Sequence, residues 1–218
     1  MVQILRDVVL FGPPGVGKGA QAAILSGRVG LVRLSMGDAL RAEASSGSTL
    51  GCRIRARIDA GHFADDETVC AIVESSLSRQ PASRFVLDGF PRTIAQAERF
   101  ERWLASVGRS VERALLITAP EATILARLCG RLVCSRCEQT FHASFRPPRV
   151  DGSCDRCGGV VARRADDDPG VQSGRLVRYR QRTAPLVEFY RARGVLYEID
   201  GGGSVPQVWR RVRRSLRA

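Results

Sequence analysis

Lysine is all but missing from this chain: of its 34 basic residues 33 are arginine, and the one lysine is Lys18. Guanidinium is bulkier and planar, so a chain that uses arginine everywhere else and keeps lysine here points to a site needing a compact ammonium. Aromatic residues are sparse, at 6 %, and no aromatic platform accompanies the basic residues, which argues against a single-strand nucleic-acid binder. Long apolar runs are lacking too. The longest uncharged stretch, Val8 to Gly17, is too short and too rich in glycine and proline to span a bilayer, and no charged-apolar-small leader precedes it. A cytoplasmic protein without a membrane partner is therefore expected. Internal repeats and low-complexity tracts are also missing. The cysteine count is seven, an odd number, which without a leader favours reduced thiols and a metal over a disulfide framework.

What is present is enough for one sizeable core with inserts, since 218 residues exceed the usual size of a single small domain. The formal charge of +12 suits a nucleic-acid binder, and equally an enzyme whose substrates carry many phosphate charges. Asp7 to Phe11 reads as a buried strand that runs through Gly12-Pro-Pro-Gly-Val-Gly-Lys-Gly19 into a helix from Ala20. Two short helices follow, one after Ser35-Met-Gly-Asp38 and one over 48–60 ending at Gly61, and they look like an insert. Helices over 66–77, 93–107 and 120–129 alternate with strands Phe85–Leu87 and Ala114–Thr118. A long helix from Gly170 to Arg193, bent at Pro185, a strand over 195–199 and an Arg-rich amphipathic helix complete the pattern. Strands alternating with helices imply a parallel sheet whose ligands lie beyond the strands' carboxyl ends.

Gly12-x-x-x-x-Gly17-Lys18 matches the Walker A pattern except at its last position, which is Gly19 rather than Ser or Thr. Glycines let backbone N–H groups turn inward on phosphate oxygens, the helix that follows presents its N-terminus, and Lys18 reaches the outer phosphates. Asp88, where an apolar run stops, is placed as a Mg²⁺ ligand is expected in a phosphate-loop enzyme. Cys134-x-x-Cys137, sixteen residues and then Cys154-x-x-Cys157 is the spacing of a four-cysteine zinc ribbon. The 131–163 segment around it is too poor in core-forming residues to fold unaided. Four thiolates would close a structural tetrahedral site and supply its folding energy, with iron as an alternative metal.

With these residues assembled, the chain resembles the adenylate kinases, and in particular the bacterial-like type with a long, zinc-containing lid. That family also replaces the Walker hydroxyl residue by glycine, although it usually continues Gly-Thr-Gln where this chain has Gly19-Ala20-Gln21. The similarity extends over Gly37-Asp38 with Arg41, Asp88-Gly-Phe-Pro-Arg-Thr93, the cysteine pairs with Phe141-His142 and Pro147-Pro148, and Thr183-Ala-Pro-Leu186, nearly the whole chain.

The resemblance implies a three-layer phosphate-loop kinase sandwich on a central parallel sheet, with a monophosphate-binding helical insert over 35–64 and a zinc-binding lid over 131–163. It implies ATP at Gly12, Gly15, Gly17, Lys18, Gly19, Ala20 and Arg127. AMP is implied at Met36, Arg41, Gly89, Arg92 and Gln96, with Gln96 reading the adenine edge and Met36, where most relatives have Thr, beside the base. Asp88 would order water around Mg²⁺. Lys18, Arg92, Arg131, Arg164 and Arg175 would surround the transferring phosphoryl group, and His142 would pack the lid. ATP, AMP and ADP are the implied partners of a monomer, with no nucleic acid. The stretch Pro169-Gly-Val-Gln-Ser-Gly174 departs from the family pattern, so a late helix onset and a looser lid hinge are expected. Two other readings stay open from sequence: a nucleic-acid-binding ATPase with a zinc ribbon, and a nucleotide-binding relative with weakened turnover.

Overall fold

The computed structural model describes residues 7–59, 64–81, 83–137, 139–163 and 169–217. Five strands, β1 (Val8–Phe11), β2 (Val32–Ser35), β3 (Phe85–Asp88), β4 (Arg113–Thr118) and β8 (Leu196–Asp200), form one sheet in the order β2-β3-β1-β4-β8. Every pairing in it is parallel. The helices that cover it are α1 (Lys18–Val29), α4 (Asp66–Ser78), α5 (Ile94–Ser106), α8 (Leu186–Arg191) and α9 (Val205–Ser215).

Strand periodicity sorts the core into two layers. In β1, Val8 and Leu10 face a cluster completed by Ala22 and Leu25 of α1 and by Val208, Trp209 and Val212 of α9. Val9 and Phe11 face the other side, against Val73 and Leu77 of α4, Phe100 and Leu104 of α5, and Leu186 and Tyr190 of α8. Each of these large apolar side chains contributes about 1.5–3 kcal/mol by leaving water, which is why the run Val-Val-Leu-Phe forms a strand buried on both faces.

Helix starts follow side-chain caps. Asp65 Oδ1 accepts from Thr68 N (2.8 Å) ahead of α4, and Thr93 Oγ1 accepts from Gln96 N (3.1 Å) ahead of α5. At the amino end of the sheet, Asp7 is fully buried and takes Nε and Nη2 of Arg109 (2.9 and 2.7 Å), Nη1 of Arg84 (3.0 Å) and the Phe85 amide (3.2 Å).

Two excursions leave the sheet at its carboxyl end. One is the pair α2 (Met36–Ser45) and α3 (Thr49–Asp59); the expected end of the second helix at Ala60 and Gly61 lies outside the described residues. The other follows α6 (Glu121–Cys129) and is an antiparallel sheet β6-β5-β7, from β5 (Arg131–Cys134), β6 (Thr140–His142) and β7 (Val161–Ala162). Its strands are too short for pattern reading to find.

The segment after the second excursion corrects two expectations. The helix α7 (Pro169–Arg178) begins at Pro169 rather than late. Proline is well suited to the first helical position, where its missing N–H has no intrahelical partner to lose. The interruption expected at Pro185 begins earlier, as a π-helical turn over Tyr179–Thr183 in which Ala184 N reaches back to Tyr179 O (3.0 Å). Pro185 lacks an amide and crowds the carbonyl four residues before it, so the ladder widens upstream of it.

Candidate active site

At the carboxyl end of β1 the chain passes Gly12, Gly15 and Gly17, all at positive φ (140°, 79° and 104°), before α1 opens at Lys18. A β-carbon on Gly12 would collide with the Ile117 carbonyl oxygen, and one on Gly15 would stand 2.6 Å from Leu128 Cγ. The loop backbone therefore lies hard against β4 and α6, where only glycine fits. No side chain caps α1, so its first N–H groups face the cleft in the arrangement that receives an anion.

Lys18 is folded back onto this loop, with Nζ donating to the carbonyls of Gly12 (2.8 Å) and Pro13 (2.9 Å). Burial lowers its pKa to about 8; the Asp88 carboxylate opposes that shift, and the charges of Arg92 and Arg131 add to it. Asp88 ends β3 with its side chain 14 % exposed. Burial pushes its carboxyl up, while Lys18, Arg33 and Arg92 hold it down and Asp38 pushes it up further. A β-carbon on Gly19 would meet Asp88 Oδ2 at 3.2 Å. Asp88 thus fills the space that a Walker serine or threonine would need, and Ala20 follows half-buried in the same turn of α1.

The expected arginines are distributed around this pair. Arg92 Nε donates to Gly89 O (2.8 Å), its amide donates to Gln96 Oε1 (2.7 Å), and its carbonyl accepts from Thr183 Oγ1 (3.0 Å). Arg175 of α7 bears on Arg92 by charge repulsion, and Arg131 opens β5 close enough to act on Lys18. Arg41 is held by the Asp38 carboxylate one turn earlier in α2. Arg127 ties three backbone carbonyls together: Nη1 donates to Val16 O (3.1 Å), and Nη2 donates to Gly201 O and Gly203 O (2.9 Å each). Arg164 lies outside the described residues.

The two residues expected beside the AMP base, Met36 and Gln96, are both buried. Met36 is packed into the core, 2 % exposed, in the cluster that includes Val69 and Phe90. An unbranched apolar side chain at the first position of α2 gains more by leaving water than by lining an open cleft. Gln96 is 4 % exposed, and both ends of its amide are engaged, Oε1 by the Arg92 amide and Nε2 by Asp66 Oδ1 (2.8 Å).

Asp66 also accepts from Thr93 Oγ1 (2.8 Å) and faces Arg182 (3.8 Å). Sequence reasoning used position 66 only as the start of a helix, and it passed over Arg33, whose Nη2 lies 3.8 Å from Asp38 and 3.9 Å from Asp88. Neither belongs to a local motif, and an arginine in a chain with 33 of them gives no signal of its own.

In the small sheet, the sulfurs of Cys134, Cys137, Cys154 and Cys157 all lie within 4.8 Å of one another, with two pairs at 3.5 Å. A tetrahedron with Zn–S bonds near 2.3 Å has edges of about 3.8 Å, so the four sulfurs fit such an ion. Arg136 N and Arg156 N each donate to a cluster sulfur at 3.4 Å. Burial opposes ionisation of Cys134, but the amides of Cys137 and Arg136 and the thiols of Cys157 and Cys154 together hold the thiol below its ordinary value. His142 is turned away from the sulfurs: its Nδ1 accepts from the amides of Ser144 and Phe145 (3.1 Å each), and its Nε2 meets Ala126 O (3.3 Å).

A parallel sheet, a glycine loop closed by one lysine, and an acidic strand end ringed by arginines define a phosphate-loop nucleotide-binding α/β protein. The family model of adenylate kinase matches residues 10–195. An adenylate kinase of Moorella thermoacetica is 42 % identical over 96 % of this chain and 97 % of its own length. One of Symbiobacterium thermophilum is 39 % identical over 97 % and 98 %, and one of Archaeoglobus fulgidus 35 % over 96 % and 97 %. The chain belongs to the adenylate kinase family. The span matched by the family model includes the four cysteines. No helix among the described residues is long and apolar enough to cross a membrane.

Proposed function

We propose that this protein transfers the terminal phosphoryl group of ATP to AMP, reversibly, to give two ADP. The observation that supports this best is the convergence of Lys18, Arg92, Arg131 and Arg175 at the glycine loop, where the charges of Arg92 and Arg131 both act on Lys18 and that of Arg175 acts on Arg92. The loop amides and Lys18 take the ATP phosphates, Arg127 meets the ATP base and phosphates, and Arg41 and Arg92 take the AMP phosphate. An AMP phosphate oxygen forms the new bond to phosphorus as the bond to the ADP leaving oxygen breaks. Both oxygens are anionic, so no proton needs to move and the arginines act by charge alone.

Reading of adenine by Gln96 rests on its carboxamide exchanging the Asp66 or Arg92 bond for the base. Asp88 and Asp38, carboxylates that already share a cation in Arg33, suit a hydrated Mg²⁺, which when bound neutralises nucleotide phosphate oxygens. The α2–α3 pair acts as the AMP insert, and residues 131–163 act as a zinc-stapled lid that excludes water on closing, with Arg164, next in sequence, as a further cation for the phosphates. The protein works as a monomer in the cytoplasm.

Following ADP formation from ATP with AMP, CMP, UMP or GMP, together with metal content, tests this reading. AMP is the expected acceptor, and Lys18→Ala is expected to be inactive while remaining folded. A folded wild-type protein that forms no ADP would refute it.

A further inference from the structure

The cation shared by Asp38 and Asp88 has no role of its own in the reading above. Arg33 lies on β2, the edge strand, and its side chain is 34 % exposed. Its Nη2 reaches toward two carboxylates from different elements, Asp38 of α2 at 3.8 Å and Asp88 of β3 at 3.9 Å, and stands 3.8 Å from the position of a β-carbon on Gly19. At these separations the contacts are loose ion pairs rather than hydrogen bonds, which form below about 3.2 Å. A guanidinium that approaches two carboxylates without binding either tightly occupies a cation position that it can leave.

The size of that position fits a hydrated divalent ion. Mg²⁺ holds its waters at about 2.1 Å and keeps several of them, so it sits about 4–5 Å from a carboxylate that it meets through water. Burial disfavours charge on Asp88, and with Lys18, Arg33 and Arg92 favouring it and Asp38 opposing it, every charge facing this carboxyl except Asp38 is a cation. Lys18 donates to the loop carbonyls and Arg92 to Gly89, whereas Arg33 reaches toward the acidic pair.

We propose that Arg33 is a tethered counter-ion for Asp38 and Asp88, holding them in place in the free protein and yielding to Mg²⁺ when the metal–nucleotide complex binds. Arg33 is a positioning residue in this account. It stands in for the metal beside the phosphate loop, supports binding of metal-free ATP there, and competes with Mg²⁺ for the same two carboxylates. The inference rests on the nucleotide-binding reading of the site.

The test measures ATP affinity by calorimetry, once in EDTA and once with saturating Mg²⁺, for wild type, Arg33→Gln and Arg33→Lys. The quantity read is the ratio of the two dissociation constants, EDTA over Mg²⁺. In Arg33→Gln the metal-free affinity loses a cation and the Mg²⁺-bound affinity loses a competitor, so the ratio is expected to rise about fivefold, the weight of one charge near 4 Å in a water-like dielectric. Arg33→Lys retains the charge and is expected to stay near the wild-type ratio, which a merely structural role for the guanidinium would not produce. An unchanged or lowered ratio in Arg33→Gln overturns the proposal while leaving the kinase reading intact. Failure of the wild type to bind ATP in either medium overturns both.

Discussion

Gly19 is the residue at which this phosphate loop departs from the Walker pattern, and the space around it supplies a physical reason. A side chain there must displace the Asp88 carboxylate by a few tenths of an ångström. Gly19→Ser restores the pattern on paper, yet it is expected to lower kcat/KM for ATP on the order of tenfold, because small displacements of catalytic groups are costly. Gly19→Ala should fall similarly in the same steady-state assay; wild-type kinetics for Gly19→Ser would show that Asp88 moves freely. Lys18 makes a second prediction. With its pKa lowered to about 8, the free protein loses the ammonium charge as pH rises through 8. The kcat/KM for ATP should therefore decline above pH 8, whereas bound phosphates raise the lysine's pKa and move the limb of kcat to higher pH. Initial rates from pH 6.5 to 10 check the order of the two limbs. By linkage, the same shift makes Lys18 destabilising below pH 8, a penalty that fades between pH 8 and the ordinary lysine value of 10.5.

Among the elements, the small sheet depends most on something other than apolar burial. Its buried cluster consists of Cys134, Phe141, Cys154 and Val161, too little to order thirty-odd residues without the metal. One zinc per chain is expected by elemental analysis. Removing it with a thiol-specific mercurial, or by Cys134→Ser, should lower the melting temperature by about 4–8 °C, the shift for ~2 kcal/mol in a chain of this size. Activity should fall at least tenfold if the lid must close over the phosphates. Full activity in metal-free protein would remove the lid from the mechanism. The cysteine pairs and the glycine loop were legible in the sequence because each compresses its chemistry into a short spacing. The π turn was not, because Pro185 signals an interruption in the helix but not where or how widely the hydrogen-bond ladder opens before it. Arg33, and the partners of Asp66 and Thr183, were missed for a related reason: each acts on a group brought close by the fold, Asp88, Gln96 and the Arg92 carbonyl respectively. Met36 was read from a family pattern, and its side chain lies in the core cluster of this structure.

At the scale of the whole molecule, the sheet divides labour between its two ends. Asp7 and its arginines lock the amino end, while the glycine loop and Asp88 lie at the carboxyl end. Asp7→Asn leaves the Arg109 guanidinium, 12 % exposed, without its counter-charge and is expected to cost about 3–5 kcal/mol, with kcat and KM at 25 °C within twofold of wild type. Melting curves and steady-state kinetics on one preparation test this separation; a large kinetic defect without a stability loss would contradict it. The π turn joins the core to the helix that bears Arg175, and its extra residue has a further consequence. Each residue along a helix advances the facing direction by about 100°, so losing one residue between Tyr179 and Thr183 would straighten the rod and swing Arg175 around its axis, away from Arg92. Chain length in this five-residue stretch therefore works as an angular setting, and side-chain substitutions there should be better tolerated than a single deletion.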